Sequence, residues 1–149
     1  MKRLHGVALV LMLLAAGANA GEPKTLVLVC RTDSRLSALT VADTRKVFLG
    51  APVVVAGLRV EALRNRSDEL LDEVFLQKVV FLSGPAYERQ VLSRVFRLGG
   101  QKPPVYDGGA ELLGALRGSP AAVTYMWDDS ARRYPDLRVV ATLWTGGVE

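Results

Sequence analysis

The sequence is poor in the side chains that most catalytic and metal sites need. Its 149 residues include one cysteine and one histidine. Because Cys30 is alone, the chain can form neither an intramolecular disulfide nor a cysteine-based metal cluster. His5 lies in an N-terminal segment that we expect to be removed, which excludes Ser-His-Asp or Cys-His catalysis and a histidine-rich zinc site. We therefore expect a protein without catalytic residues, metal or cofactor.

A long hydrophobic run is also missing. Residues 7–16 are apolar, but this run is too short to span a bilayer, which takes about twenty residues. A charged start at Lys2 and Arg3 and a small-residue cleavage site at Ala18-Asn19-Ala20 give residues 1–20 the form of a secretory signal peptide. No cysteine at the cut offers lipid attachment. We expect residues 21–149 to be one domain, periplasmic or secreted, without membrane insertion after cleavage.

The charge balance is close to neutral. The full chain carries a formal net charge of +4, and removal of Lys2 and Arg3 leaves 17 basic residues against 15 acidic ones. A nucleic-acid-binding domain usually carries a concentrated basic face. We therefore expect no nucleic acid among the partners.

The hydrophobic pattern predicts an α/β fold. Residues 25–30 form an apolar run rich in β-branched residues and bounded by polar ones, as in a buried strand. Thr40 and Asp43 have capping-box spacing and predict a helix that ends at Gly50. The same signals predict strands at 53–56, 58–63, 121–126 and 137–143. They also predict one helix that begins at Ser67, a second that begins at Ser83, and a third that spans 111–117. The order β, α, β, α, α, α, β, β predicts a sheet with helices packed on it.

Several conspicuous residues are predicted to be structural. Tyr87 and Phe96 share an apolar stripe on one helix and are predicted to lie in the core. Residues 144–147 are predicted to be a loosely held tail. Cys30 is predicted to be a buried, inert thiol, because free cysteine is among the most buried residue types.

A set of motifs in a fixed order extends over nearly the whole chain after residue 24. The motifs are Leu39-Thr40, Val47-Phe48-Leu49-Gly50, a strand that ends at Arg64, a helix from Ser67 to Phe75, Gly99-Gly100 followed by Pro103-Pro104, and Ser119-Pro120 before Tyr125. This order resembles the periplasmic phosphate-binding proteins of bacterial ABC transporters, in particular short single-domain members of the type 2 periplasmic-binding superfamily. The resemblance implies a single-domain periplasmic-binding-protein-like α/β fold, with a mixed sheet flanked by helices.

The resemblance directs attention to the start of the Ser67 helix. A helix N-terminus presents unpaired N–H groups and partial positive charge, so anions bind there. Arg64 and Arg66 can add charge-assisted hydrogen bonds to a phosphate or sulfate. Thr32 and Ser34 follow the first strand, where α/β sheets commonly carry ligand-binding groups. The predicted ligand-binding set is therefore Thr32, Ser34, Arg64, Arg66 and Ser67.

The same stretch also has a purely structural interpretation. In full-length relatives glycine and threonine follow the serine, whereas Asp68 and Glu69 follow it here. Ser67 is also an ordinary N-cap residue, and acidic side chains in a first turn satisfy the helix dipole themselves. Each carboxylate within about 4 Å of a bound anion opposes it by roughly 1 kcal/mol in water.

Two functions therefore stay open. The first is an exported, non-enzymatic solute-binding module that holds a small oxyanion such as phosphate and has an envelope protein or a permease as partner. The alternative is a ligand-free structural or regulatory accessory protein of the cell envelope. Asp68 and Glu69 favour the alternative, as does a chain about half as long as a two-lobed transport receptor. An enzyme that works with carboxylates alone is least favoured, because no acidic pair has a suitable spacing.

Overall fold

Eight strands and five helices make up the fold of residues 21–148. A computed structural model of the protein describes residues 21–148, so the predicted signal peptide lies outside the described residues. The strands are β1 (Lys24–Arg31), β2 (Val54–Val55), β3 (Leu58–Arg59), β4 (Glu61–Ala62), β5 (Arg64–Asn65), β6 (Val105–Tyr106), β7 (Ala122–Trp127) and β8 (Leu137–Gly146). The helices are α1 (Val41–Phe48), α2 (Glu69–Val74), α3 (Gly84–Leu98), α4 (Gly109–Gly118) and α5 (Asp128–Ala131), and a π-helical segment (Phe75–Val80) continues α2.

The main sheet is mixed, with the strand order β4-β7-β1-β8. β1 is antiparallel to both of its neighbours, whereas β4 runs parallel to β7. β2 and β3 form a small hairpin, and β5 pairs in parallel with β6 beyond the end of β4. This arrangement confirms the predicted α/β class and the mixed sheet.

Helices cover both faces of this sheet, which explains why β1 is an uninterrupted apolar run. Leu26, Leu28 and Cys30 face a cluster that includes side chains of α1, α2, the π-helical segment and α3. The alternate residues Val27 and Val29 face a second cluster with α4 and α5. Because both faces of β1 are buried, its sequence is continuously apolar instead of alternating between polar and apolar residues.

Two predictions about the packing of aromatic side chains are wrong. Phe96 is 91% exposed rather than part of the core, although Tyr87 on the same helix is buried and donates to the Phe48 carbonyl oxygen at 2.5 Å. Trp144 does not begin a loose tail, because β8 continues to Gly146 and pairs with the first residues of β1. Strand pairing between residues about 120 positions apart in the chain holds this segment in place.

Candidate functional site

The start of α2 is positioned by the strands that lead into it. Leu63 donates its backbone N–H to the Val123 carbonyl oxygen of β7 at 2.9 Å. Two residues later, the Asn65 side-chain amide donates to the Tyr125 carbonyl oxygen at 2.9 Å. The chain therefore follows β7 to its C-terminal end and turns there into α2. Arg64, Arg66 and Ser67 all lie close to this corner.

Arg64 lies inside the protein rather than in an open cleft. Its side chain donates from Nε and Nη2 to the two carboxylate oxygens of Asp72, at 3.2 and 3.0 Å, and from Nη1 to Glu88 Oε1 at 2.7 Å. The guanidinium also lies over the Tyr87 ring, 4.7 Å from its centroid. Arg64 is only 4% exposed. The planar fork of the guanidinium is thus matched by acidic groups of the protein itself.

The pKa directions in this cluster follow from burial and pairing. Burial by itself lowers the pKa of Arg64, but the hydrogen bonds and the charge of Asp72 outweigh it and raise that pKa above its ordinary value. The hydrogen bond from Lys102 and the contact with Arg64 lower the pKa of Glu88. Burial raises the pKa of Tyr125, whose hydroxyl donates to Asp72 at 2.6 Å. The Arg64 cluster, meaning Arg64, Asp72, Glu88, Tyr87 and Tyr125, is therefore a satisfied ionic network.

The N-cap of α2 is Asp68 and not Ser67. Asp68 Oδ1 accepts from the backbone N–H of Leu71 at 3.1 Å, and Oδ2 accepts from Trp127 Nε1 at 3.2 Å. Ser67 instead donates its backbone N–H and its hydroxyl to Asn65 Oδ1, at 3.0 and 2.6 Å. The carboxylate of Asp68 thus takes up the Leu71 N–H, one of the donors that an anion would use at this helix start.

Arg66 is the one predicted arginine that reaches the surface. It is half-exposed and forms an ion pair with Asp107, with 2.8 Å between Nη2 and Oδ1. A hollow of about 150 Å³ beside it is lined by Asn65, Ser67, Asp68 and Trp127, among others. The charged side chain in its wall is Asp68, so the local field favours a hydrogen-bond donor or a cation over an oxyanion.

Thr32 and Ser34 lie at the other end of the sheet. Thr32 donates to backbone carbonyl oxygens of Pro135 and Asp136, and the Ser34 hydroxyl donates to the Pro120 carbonyl oxygen. Because β1 and β7 are antiparallel, the residues after β1 lie next to the beginning of β7, whereas Asp68 touches its last residue. The length of β7, roughly 20 Å at about 3.3 Å per residue, separates the two places.

The predicted convergence of Thr32 and Ser34 with Ser67 is therefore wrong. The rule behind it holds for parallel strands, whose carboxyl ends meet at one edge of a sheet. Arg64, Arg66 and Ser67 do lie near one another, as neighbours in sequence, but Arg64 faces the interior. Their role in binding a ligand stays a prediction.

The key partner that the sequence interpretation missed is Asp72. It lies four residues after Asp68, so both carboxylates fall on one side of α2 and face the end of the sheet. That spacing is a usable signal, because an acid on the inner side of a helix needs a buried partner. Glu88 is harder to find, since nothing in its own neighbourhood distinguishes it from a surface acid.

The described residues contain none of three other features: a metal cluster, a membrane-spanning helix or an exposed thiol. Within residues 21–148 there is no group of three or more His, Cys, Asp and Glu side chains that could hold a metal ion. No helix in this part of the chain is long and apolar enough to cross a membrane. Cys30 is fully buried, as predicted, and burial raises the pKa of its thiol. A buried thiol with a raised pKa is unreactive.

Comparison with known proteins identifies the fold through solved structures of low sequence identity. Neither protein-family models nor curated proteins match the chain. Among solved structures, PstS of Borrelia burgdorferi matches with a TM-score of 0.55 and 11% identity, over 80% of this chain and 47% of that one. A Clostridium perfringens phosphate ABC transporter substrate-binding protein with bound phosphate matches with a TM-score of 0.53 and 10% identity, over 79% and 44%.

A third match has the same character. A Planctomyces limnophilus protein described as phosphate-binding gives a TM-score of 0.52 and 14% identity, over 79% of this chain and 41% of that one. The chain thus spans less than half the length of each of these three structures. At such low identity the likeness shows the architecture alone. This protein has a periplasmic-binding-protein-like fold, with a mixed sheet flanked by helices.

Proposed function

We propose that this protein is an exported, non-enzymatic binding module of the cell envelope, similar to solute-binding proteins that serve ABC transporters. The observation that carries the proposal is the structural match over about four-fifths of the chain to PstS and to two proteins described as binding phosphate. The signal-peptide pattern of residues 1–20 supports export to the periplasm or secretion. An envelope protein or a permease is the corresponding partner.

A small oxyanion such as phosphate is the ligand that this likeness favours. Its place would be the corner formed by Arg66 and Ser67 at the start of α2, because this corner combines a half-exposed guanidinium with a hydroxyl and a helix N-terminus. The Asp68 carboxylate already accepts from the Leu71 N–H and the Trp127 indole, and its charge opposes an anion there. We therefore expect phosphate to bind at neutral pH with a Kd no tighter than about 1 mM.

Three contacts favour the second candidate function, a ligand-free structural or regulatory accessory protein. Arg64 is neutralised by Asp72 and Glu88, and the helix start is capped by Asp68. Groups that would hold an oxyanion are thus satisfied by the protein's own acids. An accessory protein of this kind keeps the fold and acts through a protein partner.

Calorimetric titration of the exported protein with phosphate and with sulfate separates the two candidates. Heat that saturates in the millimolar range, and that is lost in Ser67→Ala and Arg66→Ala, supports the oxyanion receptor. Arg64→Ala is unsuitable for this test because it disrupts a buried ionic cluster. An absence of heat at about 10 mM ligand, together with a stable protein partner captured from the envelope fraction, supports the accessory protein.

A further inference from the structure

A second and larger opening lies along the outer edge of β4. This β4-edge groove has a volume of about 650 Å³ and runs between the end of α1 and the loop that follows α3. It shares no lining residue with the hollow beside Ser67. Its volume is within the range of about 300–1,000 Å³ that is typical of sites for small molecules.

The floor of the groove contains one unpaired backbone segment. Glu61 and Leu63 donate their backbone N–H groups to β7, at 2.9 Å each, so the N–H and C=O of Ala62 between them point the other way, into the groove. On this outer edge Val60 donates to the Val53 carbonyl oxygen and Arg64 to that of Pro104. Within residues 21–148, Ala62 is the outward-facing residue between these two bonds that makes no backbone hydrogen bond.

Prolines keep this gap open. Pro52 lines the groove on the side of the β2–β3 hairpin, and Pro103 and Pro104 line it on the side of β6. Proline has no backbone N–H and cannot donate to the Ala62 carbonyl oxygen. The gap therefore presents one donor and one acceptor, which the sheet itself leaves unused.

Two opposite charges stand at the rim. Arg59 and Glu61 both line the groove, both are exposed, and alternation along the strand puts them on the same side. Their Cα atoms are about 7 Å apart at the usual rise of a strand. Neither side chain makes an ion pair or a hydrogen bond with another residue in the range 21–148. Lys102, which also lines the groove, is held by Glu88.

The remaining wall is apolar. Val47, Val60 and Ala62 are buried residues that contribute to the lining, next to Pro52. The groove thus combines an unpaired cation, an unpaired anion, an open backbone amide and an apolar surface within a few residues of one another. These groups are complementary to a small molecule that carries both charges and an apolar side chain.

We propose that the β4-edge groove binds a zwitterion of the α-amino-acid class with an apolar side chain. The ligand carboxylate accepts from the Arg59 guanidinium and from the Ala62 N–H, and the ammonium group donates to the Glu61 carboxylate. The aliphatic side chain then packs against Pro52 and Pro104, the exposed apolar residues of the lining. This site goes beyond the proposed oxyanion function, since it uses none of the residues at the start of α2.

The test is an amide NMR titration of the exported protein with L-leucine. The expected result is saturable shifts at the amides of Ala62 and Leu63. N-acetyl-leucine lacks the ammonium charge and leucinamide lacks the carboxylate, so each should bind at least about tenfold more weakly. Arg59→Gln and Glu61→Gln should each weaken leucine binding by a similar factor. The matched controls Arg97→Gln and Glu22→Gln, at exposed positions outside the groove, should leave it unchanged.

Three outcomes would overturn the proposal: no saturable shift at about 20 mM leucine, equal binding of leucine and its singly charged analogues, or leucine binding that survives both groove variants. The unperturbed spectrum of the main sheet verifies that each variant is folded. Phosphate binding at Ser67 without a leucine response would overturn this inference and leave the proposed function intact. Leucine binding without a phosphate response would support this inference and overturn phosphate as the ligand of the proposed function.

Discussion

The guanidinium of Arg64 illustrates how the surroundings of one side chain decide what it can do. An arginine near a helix start can hold a phosphate, but this one is enclosed by Asp72, Glu88 and the ring of Tyr87. A buried charge is tolerated only when it is paired and hydrogen-bonded. The acids that neutralise Arg64 therefore also remove it from the surface available to a ligand.

Asp72 should be essential for stability. Asp72→Asn leaves Arg64 with a buried charge that has lost its bidentate partner, and removing one member of a buried pair costs about 3 kcal/mol. The free energy of unfolding, measured by urea denaturation, gives the result directly. Asp107→Asn breaks the exposed Arg66 pair and serves as control, with an expected loss within about 1 kcal/mol. Equal losses in the two variants would contradict the structural role of the Arg64 cluster.

The contacts of Glu88 should make the free energy of unfolding larger at pH values above the ordinary pKa of a glutamate than at pH values below it. The hydrogen bond from Lys102 and the contact with Arg64 lower the pKa of Glu88 in the folded state. The unfolded chain therefore binds the proton first as the pH falls. The stabilisation is complete above about pH 4.5 and is lost as the pH falls through the lowered folded-state pKa.

Unfolding curves between about pH 5 and pH 3 check this expectation. Glu88→Gln should reduce the fall in unfolding free energy across that window, and Glu22→Gln, at an exposed position, should not. An identical pH dependence in the wild type and Glu88→Gln would show that the contacts of Glu88 do not stabilise the folded state.

At the scale of elements, local signals worked where a segment carries its own pattern. The capping-box spacing of Thr40 and Asp43 predicted α1, and the structure confirms it: Asp43 donates its N–H to Thr40 Oγ1 at 3.0 Å. The apolar run of residues 25–30 predicted β1. Local signals failed where a distant partner decides the outcome. Residues 144–146 carry no strand pattern that distinguishes them from a tail, yet they pair with the beginning of β1.

The candidate site was only partly predictable for the same reason. Neighbours in sequence, such as Arg66 and Ser67, come together whatever the topology is. The expected approach of Thr32 depended on strand direction, which hydrophobic pattern does not encode. The choice between Ser67 and Asp68 as N-cap was equally open, because both residue types are common at that position.

Two alanine variants at the start of α2 distinguish these caps. Asp68→Ala removes the acceptor for the Leu71 N–H and the Trp127 indole, so we expect a loss of about 1–2 kcal/mol in unfolding free energy. Ser67→Ala removes a hydrogen bond to Asn65 at a partly exposed position, with an expected loss of about 0.5 kcal/mol. Thermal or urea denaturation of both variants provides the comparison. A larger loss in Ser67→Ala would assign the cap to Ser67.

At the scale of the whole molecule, the fold was predictable because its motif order extends over most of the chain. Identity of 10–14% with the matched structures shows how little of that fold depends on individual residues. What survives is the placement of apolar segments on a sheet with two covered faces. Function depends on a few polar groups, which a match at the level of the fold does not define.

Export is a prediction about the whole chain. Residues 1–20 have the form of a signal peptide, and cleavage after Ala20 should leave a protein that begins at Gly21. Intact-mass measurement and N-terminal sequencing of protein from the periplasmic or culture fraction check this. Recovery of the uncut chain from the cytoplasm alone would contradict the envelope location.

At the start of α2 the Asp68 carboxylate takes up the Leu71 N–H, and we expect its charge to oppose a bound oxyanion. Amide NMR titration of the wild type and of Asp68→Ser with phosphate tests it most directly, because serine keeps the cap and removes the charge. We predict that phosphate shifts the Ser67–Leu71 amides of the wild type with a Kd no tighter than about 1 mM at neutral pH, and that Asp68→Ser binds phosphate at least about tenfold more tightly. Saturation of those amides in the wild type below about 1 mM would contradict the account.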